Sequence, residues 1–170
     1  SSGSIFSNDN KTVKADTSEW LCLHSREPLP KIGKYKFSVL IEDTTKGNIM
    51  VGLVLGCHLN NKIGWHCEGN FFFYCFSGKI YQGINYFPTS SSGCFKSIIS
   101  IIINMKTADI EVQVDEVSVY KTTLEQFFLE SNDLYPAICI NEKAVIALLT
   151  NEKHLPRGVI VTMLNKLLSS

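Results

Sequence analysis

Much is missing from this chain of 170 residues, and each absence removes a class of function. Charge of one sign is missing: 16 basic residues face 16 acidic ones. Spread along the chain, they leave no electrostatic footprint for DNA, RNA or an anionic membrane surface. No apolar run approaches the ~20 residues of a membrane helix; the longest, around Ile101–Ile103, is strand length. No basic-then-apolar signal segment opens the chain. The six cysteines, Cys22, Cys57, Cys67, Cys75, Cys94 and Cys139, lack Cys-x-x-Cys spacing and are too sparse for a secreted disulfide scaffold. They are expected to be free thiols in a reducing, intracellular and cytoplasmic setting. None of Gly52, Gly56, Gly64, Gly69, Gly78 or Gly83 sits in a phosphate-loop pattern. No repeat of 20–50 residues marks a propeller or solenoid.

Hydrophobic residues make up 45% of the chain and charged residues 19%, ordinary for one globular domain with a real core. At this length folding buries roughly two-thirds of the surface that the unfolded chain exposes, so neither metal nor disulfide is needed for stability.

The densest stretch runs from Ile63 to Gly83. It holds Gly64-Trp65, the run Phe71-Phe72-Phe73-Tyr74-Cys75-Phe76, and Gly78-Lys79 leading to Tyr81. So much aromatic surface predicts strands joined by a tight turn, with the first strand buried on both faces. Upstream, Tyr35, Phe37, Val39 and Ile41 recur at every second position, the period of a half-buried strand. Ile49–Leu55 predicts another strand, in which Gly52 marks a bulge or a close backbone approach. Ser97–Ile103 is nearly continuous isoleucine and predicts a strand buried on both faces. Ile110, Val112 and Val114 are even-numbered, whereas Val117 and Val119 are odd. The flip at Asp115-Glu116 predicts a two-residue hairpin turn.

Thr123–Asn132 predicts a helical turn, and Leu134–Ile140 and Ala144–Leu149 two late strands. Residues 1–18 are polar and predict a flexible lead-in, with Ser1-Ser2-Gly3-Ser4 resembling a tag scar on a domain cut from a longer protein. At the other end, Ile160, Met163, Leu164, Leu167 and Leu168 share one face of an amphipathic helix over 151–170. Eight to ten short strands over 19–150 predict an all-β, two-sheet antiparallel sandwich with a short C-terminal helix.

Chemistry-bearing residues are few. Cys57-His58 and His66-Cys67 are metal-ligand types, but adjacent strand residues point to opposite faces, so each pair offers one ligand where zinc needs four converging. A Cys–His nucleophile lacks a glycine elbow and an orienting acid. The Phe71–Phe76 run, with only Lys79 beside it, lacks the basic groove in which aromatic side chains stack bases. No metal, cofactor or catalytic residue is expected.

Four motifs in order resemble a SPRY domain: Gly33-Lys34-Tyr35-Lys36-Phe37-Ser38-Val39; Asn48-Ile49-Met50-Val51-Gly52-Leu53-Val54; Gly64-Trp65 followed by Gly78-Lys79-Ile80-Tyr81-Gln82-Gly83; and Leu134-Tyr135-Pro136-Ala137-Ile138-Cys139-Ile140. Asn104 and Asp115-Glu116 depart from the aspartate and the Asn-Gly hairpin usual in that family. The resemblance implies a concanavalin-like sandwich serving as a non-enzymatic protein-interaction module, often the substrate-recognition part of an assembly such as a ubiquitin ligase. It implies a partner protein or peptide, no nucleic acid or membrane, and a monomeric domain. SPRY peptide sites lie on loops, which here match Ser25–Pro30 and Gly56–Lys62, with Arg26, Glu27, His58, Asn60 and Asn61 as candidate contacts. A carbohydrate-binding, lectin-like sandwich is the alternative, with Trp65 or Tyr81 stacking a sugar ring. Lectin aromatics must face solvent, whereas SPRY aromatics should be buried.

Overall fold

The computed structural model describes residues 3–6, 12–59 and 64–149. The helix expected over 151–170 lies outside the described residues. Among the described residues, thirteen strands form two antiparallel sheets. In chain order they are β1 (Gly3–Phe6), β2 (Thr12–Asp16), β3 (Leu21–His24), β4 (Lys34–Thr44), β5 (Ile49–Leu55), β6 (Phe71–Tyr74) and β7 (Lys79–Gln82). They continue as β8 (Asn85–Phe87), β9 (Ile98–Asn104), β10 (Asp109–Val114), β11 (Val117–Thr123), β12 (Leu134–Ile140) and β13 (Lys143–Leu149), with one helix, α1 (Gln126–Ser131), before β12. One sheet has the order β1-β2-β13-β4-β9-β10-β11, the other β3-β12-β5-β6-β7-β8. The second is called the aromatic sheet below.

The main core fills the space between the sheets. Strand alternation sends Phe37, Val39, Ile41, Ile99, Ile101 and Ile103 into it from the first sheet and Ile49, Val51, Leu53, Phe71, Phe73 and Ile138 from the aromatic sheet. Val114-Asp115-Glu116-Val117 turns as expected. Asp115 and Glu116 have φ of 50° and 68°, the positive pair of a type I′ hairpin, held here without glycine. Gly52 is a close approach: a Cβ there would lie 1.9 Å from the Phe71 carbonyl oxygen, and the β5–β6 register runs through it without a break.

Buried Glu142, in the β12–β13 turn, clamps the turn before β5. Its carboxylate accepts from the backbone N–H groups of Thr45, Lys46 and Asn48, each at 3.0 Å, and from the Thr44 hydroxyl.

Three expectations are corrected. Residues 1–18 are not simply an irregular lead-in, because they supply β1 and β2. Val13 and Ala15, two positions apart, are buried on the face of β2 that joins the main core, and β2 pairs along its edge with β13. The isoleucine strand β9 buries Ile99, Ile101 and Ile103 fully, but Ile98 and Ile102 are half-buried on the outward face. An all-apolar run hides this asymmetry, because it has no alternation to read. The cysteines are not all thiols: Cys22 and Cys139 form a disulfide. They sit directly opposite each other on β3 and β12, with Cα atoms 4.2 Å apart, the close spacing of a non-hydrogen-bonded pair. Cys57, Cys75 and Cys94 are free thiols.

Candidate functional site

Antiparallel pairing gathers a set of loops at one end of the sandwich. Strands β3 and β5 flank β12 and run opposite to it. The chain therefore leaves β3 at Ser25 and β5 at Gly56 on either side of the point where β12 begins. The Ser25–Pro30 loop is pinned twice: buried Ser25 donates its N–H to the Pro136 carbonyl at 2.9 Å, and buried Leu29 donates to the Leu134 carbonyl at 2.8 Å. The Ser25 hydroxyl also donates to the Glu27 carbonyl at 2.8 Å. Arg26 and Glu27 project between these anchors, exposed and 4.0 Å apart.

Across β12, Gly56–His58 forms a single 3-10 turn. The Nε2 atom of His58 lies 3.2 Å from the Glu68 carbonyl oxygen. Asn60 and Asn61 lie outside the described residues. Arg26, Glu27 and His58 thus stand at the same end, and Tyr135, which sequence reasoning left unassigned, rises between their loops. Its ring meets that of His24 edge-on at 5.8 Å. Burial holds the Tyr135 phenol above its ordinary pKa, helped by the Asp133 and Glu27 carboxylates. The available signal was register: Tyr135 pairs with Val54 on the outward face of β12, next to the loop that follows β5.

This rim continues into the outward face of the aromatic sheet. Met50, Val54, Phe72, Ala137 and Cys139 point away from the main core, yet all are buried. Trp20, Trp65, Tyr74, Tyr81 and Tyr135 cover them and are themselves half-buried. The rings form one chain of contacts: Trp20 to Trp65 at 5.8 Å, Trp20 to Tyr74 at 6.2 Å, Trp65 to Tyr81 at 5.5 Å, and Tyr81 to Tyr86 at 5.9 Å. Such tilted and edge-on pairs suit the ring quadrupole. The Trp65 indole N–H is buried and meets no acceptor among the described residues. Tyr74 donates to the Asn48 side chain at 2.8 Å, and so ties the face to the turn that Glu142 clamps. Towards the β8 edge the face opens, with Phe76 54% and Tyr86 59% exposed and the Lys79 ammonium 4.5 Å above the Tyr86 ring.

Trp65 and Tyr81, the rings named for sugar stacking, pack on one another and on the apolar layer beneath. Among the described residues no three His, Cys, Asp or Glu side chains converge as a metal site. Cys75 makes a poor nucleophile, since hydrogen bonding of its neutral thiol to Cys94, together with complete burial, pushes the thiol well above the ordinary range. A cleft of about 240 Å³ opens at the rim end between Glu68, Gln82, Asn85 and Glu125.

No family model matches the sequence, and no curated relative does. Solved structures do match. The chain is similar to the SPRY domain of human HERC1, with a TM-score of 0.71 at 13% identity over 88% of this chain and 93% of that one. A human SPRY domain gives 0.69 at 20% identity over 87% and 95%. The TRIM65 PSpry domain gives 0.70 at 11% identity over 87% and 86%. The fold is therefore a SPRY-like β-sandwich, as the four motifs implied.

Proposed function

We propose that this chain is a non-enzymatic interaction module that binds a segment of a partner protein at the rim where the Ser25–Pro30 loop and the Gly56–His58 turn stand, with the aromatic face as its floor. The observation that carries this reading is the aromatic covering of a sheet's outward face, continuous with a loop whose Arg26 and Glu27 are held out by anchors at Ser25 and Leu29. Interaction sites favour this arrangement, with rigid Trp and Tyr side chains ringed by adaptable polar groups. The similarity to SPRY domains supports an interaction role by analogy of fold. In this reading the domain is an intracellular monomer that serves as the substrate-recognition part of a larger assembly such as a ubiquitin ligase. It takes no cofactor, nucleic acid or membrane.

Affinity capture from cell lysate, read by mass spectrometry, tests the reading. The wild type is compared with Arg26→Ala/His58→Ala/Asn60→Ala/Asn61→Ala and, separately, with Tyr86→Ala. A protein held by the wild type and lost by the loop variant is the expected result. Equal capture by all three chains moves the site elsewhere. Capture of glycoproteins alone, released by free sugar, replaces the reading with the lectin-like one.

A further inference from the structure

The Cys22–Cys139 bond occupies a particular place. Among the described residues, β3 is an edge strand of four residues that pairs with β12 alone. The disulfide adds a covalent tie to that single ladder. It lies on the outward face, in the cluster that Trp20 covers, and β3 leads directly into the loop that carries Arg26 and Glu27. The two cysteines are unequally placed: Cys139 is completely buried, whereas Cys22 is half-buried. The main core is closed by contacts between the two sheets, and the disulfide belongs to the separate cluster on the outward face.

We propose that Cys22–Cys139 is a reversible redox latch on β3, opened by a low-molecular-weight thiol of the glutathione class and closed by the corresponding small disulfide. In opening, the thiolate of the small molecule attacks Cys22 Sγ. The Cys22–Cys139 bond breaks, its electron pair passes to Cys139 Sγ, and that sulfur takes up a proton. A second small thiol then attacks the mixed disulfide, which releases Cys22 as a thiol and the small molecule as its disulfide. The protein gains two electrons and two protons, and the two small thiols lose them. With the latch open, β3 keeps its short ladder to β12, Leu23 in the main core and the Ser25 and Leu29 anchors, so Trp20 and Leu21–His24 gain freedom of local opening while β5, β6 and β12 keep theirs restricted. That this freedom modulates partner binding rests on the interaction reading above; the latch itself does not.

The full chain is equilibrated in buffers of graded reduced-to-oxidised glutathione, quenched by alkylation, and read by mass spectrometry at Cys22 and Cys139. Backbone hydrogen exchange is measured in parallel. The expected result is reduction in native buffer with the domain still folded, and exchange at Leu21–His24 roughly tenfold or more faster while β5 and β6 are unchanged, as for opening of a local unit. The Cys22→Ser/Cys139→Ser variant should match the reduced wild type in every buffer. Three results overturn the latch: a bond that is reduced only after denaturant is added, reduction that leaves β3 exchange unchanged, or a double-serine variant that does not fold. A working latch with unaltered partner capture would instead count against the binding role of the loop.

Discussion

The two sheets of this sandwich share one core but present opposite characters outward. The first sheet shows water a mixed polar surface: Lys34 and Lys36 on β4, Glu111 and Gln113 on β10, Asp109 between the Thr107 and Thr123 hydroxyls, and Ser38, whose hydroxyl lies 2.7 Å from that of buried Ser100. The aromatic sheet shows rings standing on a second apolar layer. Fold alone does not demand this difference. One apolar face per sheet is enough for a two-layer sandwich, and the opposite face is normally solvated. A second packed layer on one side only is more than a two-layer sandwich requires, and its burial contributes stability of its own.

The sharpest way to break this comparison is to remove one side chain from each outward face. Phe72→Ala should destabilise by about 3–5 kcal/mol, the loss expected of a core phenylalanine, because Phe72 is fully buried although it points outward. Ile102→Ala on the other face, where the side chain is half-buried, should cost roughly half as much or less. Urea unfolding measures both. Similar small losses would mean that the rings do not seal the layer beneath them.

Next in size is Glu142→Ala. It strips one acceptor group from three backbone N–H groups and a hydroxyl in a turn whose Thr45 and Lys46 are exposed, so water can reach part of what is lost. About 2–3 kcal/mol should be lost, since hydrogen bonds to a charged group are the stronger kind. Because Asn48 receives the Tyr74 hydroxyl, the loss should also register as a change in tyrosine fluorescence on the aromatic face. Glu142→Gln, which keeps the shape but not the charge, should fall between the two.

Legibility differed between regions for physical reasons. The hairpin at Asp115-Glu116 was readable because a two-residue turn flips apolar parity, and the structure places both residues at positive φ. The burial of the Phe71–Tyr74 strand on both faces was readable from its unbroken apolar run, with Phe71 and Phe73 in one cluster and Phe72 in the other. Strand β2 was missed because only Val13 and Ala15 carry the alternation within a polar stretch. The Cys22–Cys139 bond was missed because a cross-strand pair separated by 117 positions depends on register, which cysteine spacing does not encode. At the rim, the loops were legible from motif order. Tyr135 was not, because it lies in a strand and becomes part of the rim only through its neighbours.

The faces should also separate by pH. On the polar sheet, hydrogen bonds from the Thr107 and Thr123 hydroxyls hold Asp109 below its ordinary pKa, and the Gln113 amide does the same for Glu111. A lowered carboxyl pKa means that the unfolded state binds more protons, so this stability is present at neutral pH and lost as pH falls through the folded values, below about pH 4. On the aromatic sheet, burial raises Tyr74, with smaller contributions from Tyr81, Glu142 and Cys75, and burial likewise raises Tyr135. A raised phenol pKa means that the folded state keeps its proton longer. That stability is complete below about pH 10 and is lost as pH rises beyond it. Thermal melts across both ranges should show the acid slope reduced by Thr107→Ala/Thr123→Ala and the alkaline slope reduced by Tyr135→Phe. A swap of these effects would mean that the titrating groups lie elsewhere.

The smallest expected effect on stability is the most useful for function. Arg26 and Glu27 are exposed neighbours 4.0 Å apart, and pairs of that kind contribute little because solvent screens them and ordering two long side chains offsets the attraction. The loop's shape comes instead from backbone anchors at Ser25 and Leu29, which Arg26→Ala and Glu27→Ala leave in place. Each substitution should therefore shift the unfolding midpoint by no more than about 0.5 kcal/mol equivalent. Any loss of partner capture by these variants then reads as lost contact and not as lost fold. Phe72→Ala is the converse control: it should weaken capture only in proportion to the fraction of protein unfolded, since its side chain lies beneath the rings and out of a partner's reach. A variant pair with opposite stability and opposite capture separates the floor of the site from its rim.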